Sequence, residues 1–373
     1  MPQTQVSAPA TYVRYDADIE EVDEHEAEYI DGIVEALRKN NEHVLGKHGH
    51  AHRDAHAKSL AVLKGEIEVY PNLPQEYRQG FFAEPRTYPV IARYSSTSGE
   101  IRSDLVPGVR GLSLKILDVP GPRHFPSEFR TQDFLFVNNP TFPFADAKEY
   151  LEGMGLAALL IRIPDWGLKH IAFTFRQTKR FSGPIWSRIA DWKPTLDLFT
   201  VPNRDVLGET FHSAAAQLYG DYIAKISVWP LSDNVRERTG RLVCESAGVN
   251  AHRNAMLEFY RAESAEYEIR VQLCTDKERM PVENARVDWP EALSPFWPVA
   301  KVRFGRQDSY SPARMTFADD YMSFDSWNTL AAHRPLGSLM RLRQRSYEAG
   351  AKFRHRRNNA PRIEPTSLAQ LPD

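Results

Sequence analysis

Two blocks of strand-like sequence, separated by a long helical stretch, constrain the fold of this chain most strongly. Within residues 56–137 and again within 222–304, short apolar runs end at turn-forming residues, which is typical of strands. The predicted strands are residues 60–63, 67–69, 89–95, 111–117, 133–137, 222–228, 266–273 and 299–304. A turn at Lys64-Gly65 is predicted between the first two. With helices predicted at 144–195 and 336–357, the pattern indicates one α+β domain around a large antiparallel sheet or barrel.

The ends of the chain differ from this central region. Residues 1–18 read as an arm, and residues 19–45 combine many acidic residues with apolar residues at helical spacing, which predicts an exposed helix. The predicted division is therefore an arm and helix over residues 1–45, a main domain over 46–357 and a tail over 358–373.

Composition excludes several classes of function. The chain has 373 residues and a net charge of −2, so it lacks the basic field of a nucleic-acid-binding protein. Its two cysteines cannot form a disulfide framework or a zinc site, and they favour a reducing compartment. No secretory signal and no apolar run of about 18 residues is present, so a cytoplasmic protein without a membrane span is expected.

One phenol lies between two basic residues in the predicted C-terminal helix. At about 100° per residue, Arg343, Tyr347 and Arg354 fall within about 40° of each other on one face. Neighbouring cations should lower the pKa of the phenol, and a phenolate is one of the few protein ligands for ferric haem. The alternative is a basic helix that simply faces solvent.

Histidines are concentrated between residues 43 and 56, a segment that contains His43, His48, His50, His52 and His56. Imidazole is the commonest metal ligand, but a run of this kind also occurs in solvated loops. His56 stands apart because it opens a strand-like run. It is either a histidine of the core or a general base that faces a cavity.

Polar residues on two other predicted strands admit two interpretations. Arg93 and Ser95 face the same side of one strand, so Arg93 either needs an anion in a buried site or lies on a solvated face. Asn138 and Asn139 follow the apolar run that ends at residue 137, where asparagine is also an ordinary turn former.

Taken in order, these segments resemble the haem catalases. The order is Arg53-x-x-His56-Ala-Lys, Arg93-Tyr-Ser95, Val109-Arg-Gly111-Leu-x-Leu-Lys, Gln132-Asp-Phe-x-x-x-Asn138-Asn139, Phe324-x-x-Trp327 with His333-Arg-Pro-Leu-Gly337, and Arg343-x-x-x-Tyr347. The resemblance runs from about residue 45 to 357. It is closer to the short catalase-like proteins that lack a C-terminal flavodoxin-like domain, and it implies an eight-stranded antiparallel β-barrel with flanking α-helices.

The resemblance also implies a role for each matching residue. His56 corresponds to the distal histidine, Asn138 to the distal asparagine and Ser95 to the serine that orients the histidine ring. Tyr347 corresponds to the iron ligand, and Arg343 to the arginine that keeps this ligand ionised. Three further arginines, Arg53, Arg93 and Arg354, correspond to the partners of the haem propionates.

The implied activity is the decomposition of hydrogen peroxide or organic hydroperoxides with haem b, through an iron-oxo state of the haem, in a homo-oligomer. Departures from the catalase pattern modify this expectation. Residues 59–62 are bulkier, and Tyr150 or Leu151 falls near the place of the aromatic residue that stacks on the haem. One extra residue before Asn138 leaves either Asn138 or Asn139 as the distal asparagine. The shorter chain predicts a more open pocket, which would favour organic hydroperoxides or one-electron donors over hydrogen peroxide alone.

Two other functions fit the same residues. An enzyme that rearranges fatty-acid hydroperoxides, similar to allene oxide synthase, would use the same haem and Tyr347 without releasing dioxygen. A non-catalytic haem-binding protein would keep the haem but would not depend on His56.

Overall fold

The structure, a computed structural model, describes residues 11–181 and 201–373; the predicted helical residues 182–195 lie outside this part of the chain. The strands are β1 (Ser59–Val69), β2 (Thr87–Ser96), β3 (Arg110–Ile116), β4 (Gln132–Val137), β5 (Phe211–His212), β6 (Gln217–Tyr219), β7 (Tyr222–Pro230), β8 (Ala265–Leu273) and β9 (Trp297–Phe304). Eight of them form an antiparallel ring in the order β5-β4-β3-β2-β1-β9-β8-β7, which the β5–β7 pairing closes. Strand β6 pairs with β7 beside this ring. The predicted eight-stranded antiparallel barrel is confirmed.

The pairing of β2 with β3 sorts side chains between the two faces of the barrel. Tyr94 pairs with Leu112, and both side chains are buried in the main apolar core. The neighbouring pair, Arg93 and Ser113, faces the opposite side because the side-chain period of a strand is two residues. The interior is thus filled with apolar side chains, and Arg93 is placed on the outer face, which also carries apolar residues such as Ile91.

The predicted turn at Lys64-Gly65 is wrong, because β1 runs without interruption through both residues. Strand β9 crosses so closely that a Cβ on Gly65 would lie 2.6 Å from the carbonyl oxygen of Arg303 and 2.5 Å from the ring of Phe304. Glycine is needed at this position because the two strands approach each other closely. Since glycine is also typical of turns, the sequence alone did not distinguish the two cases.

The described residues contain seven α-helices, and three of them pack together outside the barrel. The helices are α1 (Glu26–His48), α2 (Ala147–Arg162), α3 (Asp165–Phe181), α4 (Asp233–Arg236), α5 (Ala251–Ala262), α6 (Pro312–Thr316) and α7 (Ser338–Arg357). Buried apolar residues such as Ile33, Met154 and Leu342 join α1, α2 and α7. The helix predicted for residues 19–45 begins later because Glu20 instead forms ion pairs with Arg334 and Arg341.

Both ends of the described chain contact the barrel. Near the N-terminus, the backbone N–H of Val13 donates to the carbonyl of Cys274 at 2.8 Å. In the tail, Leu371 is buried and Glu364 forms an ion pair with Lys115 on β3. No helix in the described residues is both long and apolar enough to cross a membrane.

Candidate active site between the barrel and the last helix

A cavity of about 1160 Å³, here called the first cavity, lies between the outer face of the barrel and helix α7. Its barrel wall is formed by the outer faces of β2, β3 and β4 together with the loop that carries His56. Its helix wall is formed by α7, and α1 contributes apolar side chains. Lining residues include Val34, Leu37, Arg53, Asp54, His56, Arg93, Ser113, Leu135, Tyr347, Gly350 and Arg354.

His56 is fixed on the barrel wall by its backbone and its ring. Its φ of 56° lies in the left-handed region, a conformation that costs free energy and persists only where the surroundings enforce it. The backbone N–H donates to Thr97 at 2.9 Å, and Nδ1 forms a hydrogen bond of 3.0 Å with the Ser95 hydroxyl. A Cβ on Gly111 would lie 2.5 Å from Nδ1, so the ring rests directly on glycine backbone.

The imidazole of His56 is neutral at ordinary pH. Burial, together with the positive charges of Arg93, Arg343, Arg53 and Arg110, lowers its pKa to about 3. Nε2 has no hydrogen-bond partner among the described residues. A neutral imidazole with one bonded and one unbonded nitrogen can accept a proton from a molecule in the cavity.

Tyr347 lies on the helix wall, and its hydroxyl has no hydrogen-bond partner among the described residues. Burial raises the pKa of this phenol; Arg343 opposes the shift, and Asp54 and Asp325 reinforce it. The predicted decrease of the pKa is therefore wrong for this structure. Helical spacing identified the nearby cation, but it contained no information about the loss of solvent or about the two carboxyl groups.

Three arginines lie close together beside the cavity, and two of them contact a carboxylate that the sequence did not reveal. Arg53 donates to Asp319 at 2.6 Å, and Arg93 donates to the same oxygen, Oδ1, at 3.1 Å. Arg354 donates to the carbonyl of Met322 at 3.1 Å and to the Ser323 hydroxyl at 3.2 Å. Asp319 lies 266 residues beyond Arg53, so only the tertiary fold brings them together. Arg53, Arg93 and Arg354 are called the arginine cluster below.

The arginine cluster contains more positive than negative charge. Burial and repulsion from neighbouring guanidiniums lower the pKa of Arg93 to about 10 and that of Arg354 to about 9. Burial opposes ionisation of Asp319, but Arg93 and Arg53 still hold its pKa below the ordinary value. Two carboxyl groups, those of Asp319 and Asp54, thus act on three guanidiniums, and the buried Nε of Arg354 has no hydrogen-bond partner in the described residues. This environment favours an anionic ligand.

Arg343 points to a different part of the site from Arg354. Its Nη1 lies 3.5 Å from the sulfur of Met340, and its guanidinium lies over the ring of Phe142. It lines a second cavity, of about 260 Å³, that shares Asp54 and His56 with the first. The three side chains predicted to share one helix face are therefore distributed over two cavities, although Arg343 still influences Tyr347 electrostatically.

The two asparagines have different surroundings. Asn138 accepts the backbone N–H of Arg110 at 2.7 Å and donates to Glu209 at 2.8 Å, so its amide is occupied in the protein framework. Asn139 donates to the carbonyl of Thr141 at 2.7 Å and lines the second cavity together with His56. The structure brings Asn139, rather than Asn138, to a cavity wall.

The histidine-rich segment forms contacts at the edge of the site. His48 forms a short hydrogen bond with Glu100, and His50 contacts Asp320 at 2.8 Å. No group of three residues able to hold a metal ion occurs in the part of the chain that the structure describes.

Sequence reasoning missed Asp54 and underestimated Tyr150. Asp54 lines both cavities, and burial raises its pKa. Tyr150 lines the second cavity, and burial raises its pKa to about 12. Leu151, the other residue considered for the stacking position, packs against Gly32 of α1. The position of Asp54 between Arg53 and His56 was the available signal, since it lies inside a site motif.

No protein-family model matches this sequence, and no curated protein matches it. The structure is nevertheless similar to solved catalases. For a bacterial catalase the TM-score is 0.57 at 15% identity, covering 98% of this chain and 68% of the other. For a fungal catalase the TM-score is 0.55 at 12% sequence identity, and the match covers 94% of this chain and 66% of the catalase chain. For catalase A from Saccharomyces cerevisiae the TM-score is 0.55 at 13% sequence identity, and the match covers 94% of this chain and 68% of the catalase chain.

At these identities the similarity establishes the fold alone. The chain has the catalase-like fold that the sequence predicted, and it spans about two thirds of the length of the catalases it matches.

Proposed function

We propose that this chain binds haem in the first cavity and decomposes peroxides there. The observation that carries the proposal is that one cavity is lined by a neutral imidazole on its barrel wall, a phenol on its helix wall and a cluster of arginines beside them. Each group corresponds to a separate requirement of haem peroxide chemistry.

The residues present fit haem. The volume of about 1160 Å³ exceeds the roughly 300–1,000 Å³ that is usual for small-molecule sites, as a large cofactor requires. The phenol of Tyr347 is a known type of ligand for ferric haem. The arginine cluster, with its excess positive charge and the unpartnered Nε of Arg354, suits the carboxylates of haem propionates.

Haem would supply the redox chemistry, and the protein would supply the ligand, the orientation and the electrostatic field. Tyr347 must lose its proton to act as a phenolate ligand, so its raised pKa opposes binding and the positive charge of Arg343 assists it. The arginine cluster would hold the propionates and so fix the position of the cofactor between the two walls.

His56 would handle the proton of the peroxide. We assign the ring proton to Nδ1, which is hydrogen-bonded to Ser95, and this leaves Nε2 as the acceptor. Nε2 would take a proton from the bound peroxide and return it to the oxygen that leaves as water, a contribution of typically about 10²–10⁴-fold. Asn139, on the cavity wall, is better placed than Asn138 to hydrogen-bond the peroxide.

The test is an absorption spectrum of the haem-reconstituted chain, combined with oxygen-electrode measurements. A Soret band of phenolate-ligated ferric haem is expected, and Tyr347→Phe should abolish this pattern. Hydrogen peroxide should then yield dioxygen in a reaction that depends on His56. Absence of a Soret band after reconstitution would overturn the proposal.

Two outcomes would support the alternatives instead. Consumption of organic hydroperoxides without dioxygen release from hydrogen peroxide would indicate a rearranging enzyme. A Soret band without any peroxide turnover, and without an effect of His56→Ala, would indicate a haem-binding protein that is not catalytic.

A further inference from the structure

The second cavity differs in character from the first, although the two adjoin. It has a volume of about 260 Å³ and shares Leu37, Asp54, Ala55 and His56 with the first cavity. From this shared end it extends between the segment before β3, the segment before α2, and helices α2 and α3. The proposed peroxide chemistry uses His56, Asn139 and Arg343 of this lining, and the remaining lining residues have no assigned role.

The far end of the second cavity is apolar. Its lining includes Val106, Phe144, Met154, Leu160 and Leu168. Three of these, Val106, Leu160 and Leu168, form a small buried cluster of their own. A hydrocarbon group gains free energy by leaving water for such a lining, at about 0.8 kcal/mol for each buried CH₂.

The charged side chains near this end already have partners. Arg102 donates to the carbonyls of Leu160 and Ile161, at 3.1 and 2.7 Å, and pairs with Asp165. Arg110 donates through Nη2 to two backbone carbonyls and to Asn203, whereas its buried Nε has no hydrogen-bond partner in the described residues. Asp54, His56 and Arg343 lie in the other part of the lining, so the cavity is polar at one end and apolar at the other.

The second cavity is much larger than hydrogen peroxide requires. Hydrogen peroxide is little larger than water, whose share of liquid volume is about 30 Å³. An engineered apolar cavity of about 150 Å³ binds benzene, with its six carbon atoms. By proportion, 260 Å³ accommodates a chain of about ten carbon atoms.

We propose that the second cavity binds the aliphatic chain of an organic hydroperoxide and places its hydroperoxide group beside His56. This inference rests on the proposed function and specifies its substrate class. The apolar end supplies affinity for the chain, and the polar end receives the only polar group of the substrate. Hydrogen peroxide would still react, but without this contribution to binding.

Two glycines of helix α2 offer a matched pair of variants. A Cβ on Gly153 would lie 2.4 Å from the ring of Phe144, and both residues line the second cavity, so Gly153→Ala narrows it. A Cβ on Gly155 would meet nothing within 4 Å, and Gly155→Ala serves as the control. Both changes replace glycine by alanine in one helix and alter backbone entropy equally.

The first experiment measures binding of 1-decanol, a redox-inert analogue of decyl hydroperoxide, by calorimetry with the haem-free and haem-loaded full chain. We expect binding to the wild-type protein, unchanged binding to Gly155→Ala and a loss of at least about tenfold for Gly153→Ala. Phe144→Ala covers the case in which the Phe144 ring simply moves aside. It enlarges the cavity and should shift the preferred chain length upwards from 1-decanol towards 1-tetradecanol.

The second experiment separates this inference from the proposed function. The kcat/KM of the haem-loaded chain is measured with hydrogen peroxide and with decyl hydroperoxide. The inference predicts that Gly153→Ala lowers the value for decyl hydroperoxide about tenfold and leaves that for hydrogen peroxide within about twofold. Turnover of hydrogen peroxide without binding of 1-decanol, or equal losses for both peroxides, would overturn the inference alone. Binding of 1-decanol without turnover of any peroxide would overturn the proposed function instead.

Discussion

The barrel wall of the first cavity carries His56 with its hydrogen bond to Ser95 already formed, whereas the helix wall carries Tyr347 with a hydroxyl that lacks a partner in the described residues. On the barrel wall, the absence of a side chain at Gly111 leaves room for the ring, and burial together with neighbouring arginines keeps the ring neutral. On the helix wall, burial raises the pKa of the phenol that would have to ionise under the proposed function, and Nε of the neighbouring Arg354 has no hydrogen-bond partner in the described residues. Under that proposal the His56–Ser95 hydrogen bond is present without a ligand, whereas the helix wall would gain its partner from an anionic, metal-containing ligand.

Replacement of His56 is expected to have the largest effect, because it removes the proposed general acid–base from the barrel wall and changes no residue of the helix wall. His56→Ala should lower peroxide turnover by about 10²–10⁴-fold, the usual contribution of a general acid–base. The Soret band should remain, since the proposed ligand Tyr347 lies on the other wall and Arg93 bonds the backbone carbonyl of residue 56, which the substitution keeps. Rates from an oxygen electrode and absorption spectra provide the measurement. A loss of the Soret band in this variant would mean that the two walls are not independent.

Replacement of Arg354 tests the helix wall. Hydrogen bonds to charged groups contribute about 1.5–3 kcal/mol, so Arg354→Met should weaken haem binding by about 10- to 100-fold. The control is Arg345→Gln on the same helix, because Arg345 is exposed and its ion pair in the described residues is with Asp31 at the surface. Haem titration followed at the Soret band gives both affinities. Equal affinities for the two variants would remove the arginine cluster as the propionate site.

Asn138 and Asn139 allow a second comparison, because they are adjacent in sequence but have different surroundings. Asn139→Ala should lower turnover by about tenfold with little change in stability, because one hydrogen bond to the substrate is lost. Asn138→Ala should instead lower the free energy of unfolding by about 1–3 kcal/mol, because Glu209 is buried and loses its donor. Chemical denaturation and steady-state rates on both variants check this. The reverse pattern would return the distal role to Asn138.

The sequence identified most residues of the candidate site but not their tertiary partners or their protonation states. The strands follow from short apolar runs that end at turn-forming residues, whereas the closed eight-stranded barrel was implied by the resemblance to the catalases, which rests on the order and local spacing of the motifs. Asp319 could not be foreseen, because its contact with Arg53 depends on the tertiary fold. The pKa of Tyr347 was misjudged because desolvation is a property of packing, which one helix does not contain. The turn prediction at Gly65 was wrong because glycine is favoured both in turns and where two strands pack closely.

The smallest expected effect is a difference in the pH dependence of stability between the two walls. The pKa of His56 is about 3 in the folded chain and about 6.5 ordinarily, so the folded state binds fewer protons than the unfolded state between these values. The stability contributed by neutral His56 is therefore present above pH 6.5 and is lost as the pH falls towards 3, by at most about 1.4 kcal/mol per pH unit. His56→Gln should have a shallower slope than the wild type in denaturant titrations of the haem-free chain, because the other buried histidines contribute equally to both. Tyr347→Phe should leave the slope unchanged, since burial moves the pKa of that phenol upwards, away from this range. Parallel slopes for the wild type and His56→Gln would mean that the imidazole is solvated in the haem-free protein and that the barrel wall, like the helix wall under the proposed function, becomes complete only when the cofactor binds.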